Sequence, residues 1–338
     1  MKRLLRYTRI FIVLSLALVS FPLDSHATIV DVSTGDSLNT VSLSSDPQHP
    51  KANEETALSI ESFSTNLNSA NIVWYVNGTI VAEGTGKKSA TIETGPLGSV
   101  TSITVSITPQ GEKTFQKQFS LTPADVGFIW EAKTYTPPFY KGKALFTPES
   151  PVTIAAIPQF ANSKNLISPD NLIYQWKLDD KILSDQSGYG KWSVSVKGNY
   201  WGRKDPVSVS VTSLDKLISS QKTLTLVPQK SLVLAYENNP LLGTLFNRAI
   251  NGPFSIQKNS EISIFVAPYF FISNLLSNGG TKYDWSMNGV AITDQQGGNT
   301  VTFRDSENGE GESNIRVNVS QKKAIYQTGS TQFSILFK

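Results

Sequence analysis

The 338-residue sequence predicts an all-β protein built as three tandem sandwich units, and three observations carry that prediction. First, one stretch occurs three times, at residues 71–78, 172–180 and 281–289, each time with a single tryptophan in a short alternating run that ends on turn-forming residues. That is the pattern of a half-buried strand entering a hairpin. Second, these tryptophans, Trp74, Trp176 and Trp285, stand 102 and 109 residues apart, about the length of one small sandwich. Third, a strictly alternating strand (Ile-Thr-Val-Ser-Ile, Val-Ser-Val-Ser-Val, Ile-Arg-Val-Asn-Val) starts 29, 31 and 30 residues after the tryptophan. The near-constant interval marks the copies as repeats of one plan.

Taken in order, the chain begins with a secretory signal. Lys2, Arg3, Arg6 and Arg9 form a basic region, residues 10–19 are apolar but short for a membrane span, and Ser25-His26-Ala27 supplies small residues for cleavage after Ala27. Residues 1–27 are therefore read as a signal peptide, the alternative being an uncleaved anchor. The segment accounts for the basicity of the chain. It holds four of the 30 Lys+Arg and only Asp24 of the 27 Asp+Glu, so 26 of each sign remain and the net charge after cleavage is near zero. A neutral chain offers no electrostatic footprint for nucleic acid. The absence of cysteine excludes a disulfide framework, thiolate metal sites, a cysteine nucleophile and a lipid-modified cysteine. No later stretch is apolar for long enough to span a bilayer, and residues 262–276 are broken by Pro268.

Residues 28–50, rich in Ser, Asp and Thr, are expected to be a flexible lead-in that closes with a first strand at Val41-Ser42-Leu43. The first unit, 51–124, opens with the alternating run 56–63, which turns Leu58 and Ile60 inward. Its counterparts are 152–160 in the second unit (125–229) and 262–270 in the third (230–338), which match down to a proline, Pro158 and Pro268, expected to end the ladder, and the aromatic that follows it. Closing strands follow at 115–121, 223–227 and 331–337. Between units, 128–131 and 232–237 each read as a first strand leading to a proline bend. Short, partly ordered linkers predict an elongated, semi-rigid rod.

A tryptophan on the third strand facing alternating strands of an opposite sheet, in a unit of roughly 100 residues, resembles the immunoglobulin-like sandwich. More narrowly, Trp-x-x-Asn-Gly together with Val-Ser-Val-Ser-Val-Thr is similar to the PKD and bacterial Ig-like domains of exported surface proteins. The resemblance covers nearly all of the chain after the signal. It departs from PKD domains in that their acidic turn is only echoed, at Asp179-Asp180, and it lacks the cysteine pair of antibody-type domains.

Chemistry is sparse by comparison. Only His26 and His49 exist, so Ser-His, Cys-His and histidine-zinc chemistry are excluded after signal removal. The carboxylates are scattered with no recurring constellation, and the chain is read as non-enzymatic and without a cofactor. The densest acidic stretch carries Asp305, Glu307, Glu310 and Glu312 among glycines; a solvated loop is the favoured reading and a calcium loop the alternative. In the second unit, Trp192, Val194 and Val196 are expected on an inward face, while Tyr189, Tyr200 and Trp201 fall near turns beside Lys and Arg, as candidates for stacking on a glycan or anchoring a protein. The cluster Tyr135-Thr136-Pro137-Pro138-Phe139-Tyr140 is assigned to packing between units, and Asn77-Gly78-Thr79 to a hairpin turn as well as a glycosylation sequon. Trp74, Trp176 and Trp285 are assigned to the cores.

The function expected from these features is an exported, cell-surface or extracellular spacer with an adhesive or assembly role. Its partners are other envelope proteins or glycans. The alternative is a carbohydrate-binding or accessory module of an exported enzyme or pilus system.

Overall fold

Alternation of apolar and polar residues places every second side chain of a strand on one face, and three separate cores form where two such faces meet. The computed structural model describes residues 29–31, 41–163, 165–199, 204–257, 260–293, 298–304 and 311–337. In the first unit, one sheet joins Val41–Asp46, Glu55–Ser62 and Ser89–Glu93, and the other runs in the order Ile29–Asp31, Phe115–Leu121, Thr101–Thr108, Asn71–Val76, Thr79–Thr85. The second unit repeats the scheme: Asp125–Ala132, Pro151–Gln159 and Ser193–Lys197 face a sheet of Lys181–Ile182, Leu172–Leu178, Asp205–Ser213 and Ser219–Leu226. So does the third, with Leu232–Asn239, Glu261–Tyr269 and Thr300–Arg304 against Val290–Ala291, Thr281–Met287, Gly311–Gln321 and Ala324–Phe337. This strand order, repeated three times, is the immunoglobulin-like sandwich.

The tryptophans occupy equivalent places. Trp74 pairs with Val105, Trp176 with Val209 and Trp285 with Val317, and their exposures are 0%, 0% and 4%. A buried indole N–H needs an acceptor. In each copy it donates to a backbone carbonyl in the connection that follows: Lys87 O at 2.8 Å, Lys191 O at 2.8 Å and Gly298 O at 3.0 Å. The side chain thus fills the core and also pins the chain on its way to the opposite sheet.

The turn after each tryptophan strand is also common to all three. Asn77-Gly78, Asp179-Asp180 and Asn288-Gly289 have positive φ at both positions, as a two-residue hairpin of the right twist requires. The Asn77 side-chain oxygen accepts the Ser102 N–H at 2.9 Å, and Asn288 does the same with Asn314 at 2.8 Å. That shared bond gives Asn77 a structural task.

Three expectations need correction. Residues 28–50 close with the expected strand, Val41–Asp46, which pairs from Val41↔Ser62 to Asp46↔Ala57, but the lead-in before it also contributes an unexpected strand, Ile29–Asp31, paired with Phe115–Leu121. Ser42 and Ser44, which make 41–46 look like linker, sit on its outer face, where Ser44 Oγ hydrogen-bonds Ser59 Oγ at 2.8 Å. Pro158 and Pro268 do not end their ladders, which continue to Gln159 and Tyr269. Trp192 is 42% exposed and not in the core. It lies in the turn before Ser193–Lys197, so the alternation that buries Val194 and Val196 does not extend back to it.

Candidate functional site

Of the aromatic residues singled out in the second unit, Tyr200 and Trp201 lie outside the described residues. Tyr189 sits between Gly188 (φ 128°) and Gly190 (φ 68°), is 56% exposed, and donates from its hydroxyl to Asn171 Oδ1 at 2.8 Å. With the half-exposed Trp192 it leaves ring surface open on this hairpin. In the acidic loop, Asp305, Glu307 and Glu310 lie outside the described residues, and Glu312 is exposed. Among the described residues no group of three or more His, Asp or Glu side chains is placed to hold a metal ion.

The densest functional geometry lies where the second unit meets the third. Residues 133–150, which join the first two strands of the second unit, reach over and pair with the third. Tyr135 N–H donates to Phe271 O at 2.7 Å, Phe270 N–H returns to Tyr135 O at 2.7 Å, and Ser273 N–H reaches Lys133 O at 3.2 Å. Beneath this short ladder is a polar cluster with almost no access to water: Thr147 and Gln327 are 0% exposed and Glu149 is 3%. Thr147 Oγ1 donates to Phe270 O at 2.9 Å and accepts from Gln327 Nε2 at 3.0 Å, while Gln327 Oε1 accepts the Ile272 N–H at 3.2 Å. Gln327 Nε2 also reaches Pro148 O, and Glu149 Oε2 accepts the Tyr326 N–H at 2.7 Å. The bends are held locally by the Thr-Pro-Glu-Ser turn, in which Ser150 Oγ bonds both the N–H and the carbonyl of Thr147.

Beside the polar cluster, aromatic rings from both units interlock. Tyr140 meets Tyr269 and Phe270 edge-on at 5.9 and 5.8 Å, the hydroxyls of Tyr236 and Tyr269 are 2.6 Å apart, and Phe246 packs on Tyr236 and Phe265 at 5.2 and 5.9 Å. Burial raises the Tyr269 hydroxyl well above its ordinary range, helped by its bond to Tyr236. Burial likewise pushes Tyr283 up to about 12. Both stay neutral donors at any physiological pH. Tyr135 and Tyr140 therefore serve packing between units, as the sequence pattern implies, but Phe139 between them does not: it is 91% exposed with φ 66°. Leu241 and Leu242, in the corresponding stretch of the third unit, are also exposed, at 93% and 75%. A cleft of ≈ 560 Å³ opens here between residues 137–141 and residues 244–247, with Tyr269 on its lining.

No hydrophobic periodicity announces Thr147, Glu149 or Gln327, and sequence reasoning passes over them. The legible signal was the turn-forming Thr-Pro-Glu-Ser itself, directly before an alternating strand.

No protein-family model and no curated protein matches the chain. Among solved structures, the three N-terminal domains of the bacteriophage RB49 highly immunogenic outer capsid protein align over 89% of this chain and 99% of that one, with 9% identity and a TM-score of 0.27. Sidekick-1 immunoglobulin domains 1–5 align over 85% of this chain and 56% of that one, with 10% identity and a TM-score of 0.29. The central fibronectin-III array of RIM-binding protein aligns over 91% and 99%, with 12% identity and a TM-score of 0.25. The immunoglobulin-like assignment of each unit rests on its own strand order.

Proposed function

We propose that this chain is a non-catalytic, exported surface protein that acts as a spacer with an adhesive or assembly role, its partners being other envelope proteins or glycans. Residues 1–27 would direct export, and the units 51–124, 125–229 and 230–338 would form the spacer as PKD-like members of the immunoglobulin-like class, the first unit extended by the strands at 29–31 and 41–46. The observation that carries this reading is the buried polar cluster of Thr147, Glu149 and Gln327. Domains that only share a chain move freely by default, whereas polar groups buried across a junction are satisfied in one geometry alone. Such a lock suits a chain that must hold a surface at a fixed distance.

Two measurements test the reading together. Antibody raised against the folded chain is expected to label intact native cells, and small-angle scattering of the chain is expected to give one narrow set of dimensions for the second and third units. Label found only after lysis would refute export to the surface, and a broad spread of dimensions would refute the spacer.

A further inference from the structure

We propose that the cleft between residues 137–141 of the second unit and residues 244–247 of the third binds an acidic glycan, with Phe139 as the platform for a sugar ring and Lys141 as the partner of its carboxylate. The first observation is the state of Phe139. A β-carbon in the left-handed region crowds its own backbone, and for a bulky residue this conformation is an outlier. A ring that is 91% exposed gains almost nothing from burial to offset that strain. Strained residues of this kind persist where the surroundings hold them and cluster at ligand-binding positions.

The surroundings do hold it. Tyr140, the next residue, is wedged edge-on against Tyr269 and Phe270, and Tyr269 is bonded in turn to Tyr236. Phe139 is therefore presented on a fixed support, which spares a ligand the entropy of ordering the loop. At ≈ 560 Å³ the cleft falls within the range of about 300–1,000 Å³ usual for small-ligand sites.

The chemistry of the lining selects the ligand class. Pro137, Pro138, Phe139, Tyr140, Leu245, Phe246 and Tyr269 supply apolar surface, while the polar contributions are Lys141, Thr244 and Asn247. Among the described residues Lys141 is the only charged one of the lining, and it is exposed and in no ion pair with them. Asn247 is exposed too, with its amide unengaged among the described residues, whereas Thr244 Oγ1 is held by Asn238 Oδ1 at 3.1 Å. One open ring, one free amide and one free cation match a pyranose that offers a C–H face, hydroxyls and a single negative charge. An added peptide strand suits the cleft less well, because Pro137 and Pro138 have no N–H to give it.

This goes beyond the spacer reading, which stands or falls on scattering and surface labelling whatever the cleft binds. The test is calorimetric titration of the full chain with hexasaccharides of galacturonate, glucuronate and mannuronate, the methyl ester of the best binder, and hexaglutamate. At least one hexasaccharide is expected to bind saturably. Phe139→Ala should weaken that binding by about tenfold or more, a change of about 1.4 kcal/mol, and Lys141→Gln by several-fold, with melting temperatures unchanged because both side chains are exposed. The methyl ester should bind more weakly than the acid. No heat from any of the three sugars, equal affinity for hexaglutamate, an unaffected Phe139→Ala variant or undiminished binding of the ester would each overturn the assignment.

Discussion

The two junctions between units are built on different principles. Between the second and third units, three fully or nearly buried polar side chains and a short backbone ladder tie residues 133–150 to the far sandwich. Between the first and second, among the described residues, the polar links are lighter: His49 beside the Ser219 backbone and an ion pair of Lys51 with Asp125 at 3.6 Å whose side chains are 49% and 29% exposed, while Gly98 lies close against Ala161 and Ser163. A surface pair of that kind contributes about 0–1 kcal/mol and is screened by salt. Breaking a buried network instead leaves groups without partners, at about 1–3 kcal/mol for each. The second and third sandwiches thus belong together energetically, and the first is attached to them more loosely.

The largest expected effect that separates the junctions comes from the cores. Trp176→Ala should destabilise the second unit by about 3–5 kcal/mol and lower the unfolding transition of the third with it. Trp74→Ala should lower that of the first alone, and calorimetry that shows the third unit indifferent to Trp176→Ala would break the comparison. A smaller change sharpens it. Gln327→Ala leaves the Ile272 N–H and the Pro148 carbonyl without their partner, and should cost about 3 kcal/mol and split the joint transition into two in a denaturant melt. An unsplit transition would mean that the backbone ladder, the Thr147 and Glu149 bonds and the aromatic rings suffice to couple the units.

The smallest effect is at the lighter junction and depends on pH. Burial lowers the pKa of His49 below its ordinary 6.5, with the backbone of Ser219 in the second unit acting in the opposite sense. The folded form then holds fewer protons than the unfolded form just below pH 6.5, so this contribution to stability is complete above that value and declines as the pH falls through the lowered pKa. Melting of the first unit should drop modestly from about pH 8 to about pH 5, and less in a His49→Asn variant; identical pH profiles would remove His49 from the junction's energetics.

How much of this was legible follows from what alternation encodes. Leu58, Trp74 and Val105 could be assigned to a core because each stands in a run where every second residue is apolar, and a sheet with one buried face demands that pattern. The strand at 41–46 was legible from Val41 and Leu43 alone, whereas Ile29–Asp31 was not, because three residues are too few to show an alternation. Thr147, Glu149 and Gln327 were not legible as a group: polar residues 180 positions apart carry no shared signal until the fold brings them together. Phe139 was visible as an aromatic, but its neighbours Tyr135 and Tyr140 do pack, and what separates the three, exposure and the backbone angle, is set by the fold.

The strands that flank the two terminal sandwiches have a consequence for solubility. Ile29–Asp31 lies antiparallel along Phe115–Leu121, and Pro253–Ile256 lies parallel along the end of Ala324–Phe337. Each covers backbone N–H and C=O groups that would otherwise form an open template for another chain. Each terminal unit thereby has one edge of one sheet covered, which directs any strand-to-strand contact between crowded copies to the opposite edges of those sheets, Thr79–Thr85 and Val290–Ala291, and to the edges of the facing sheets.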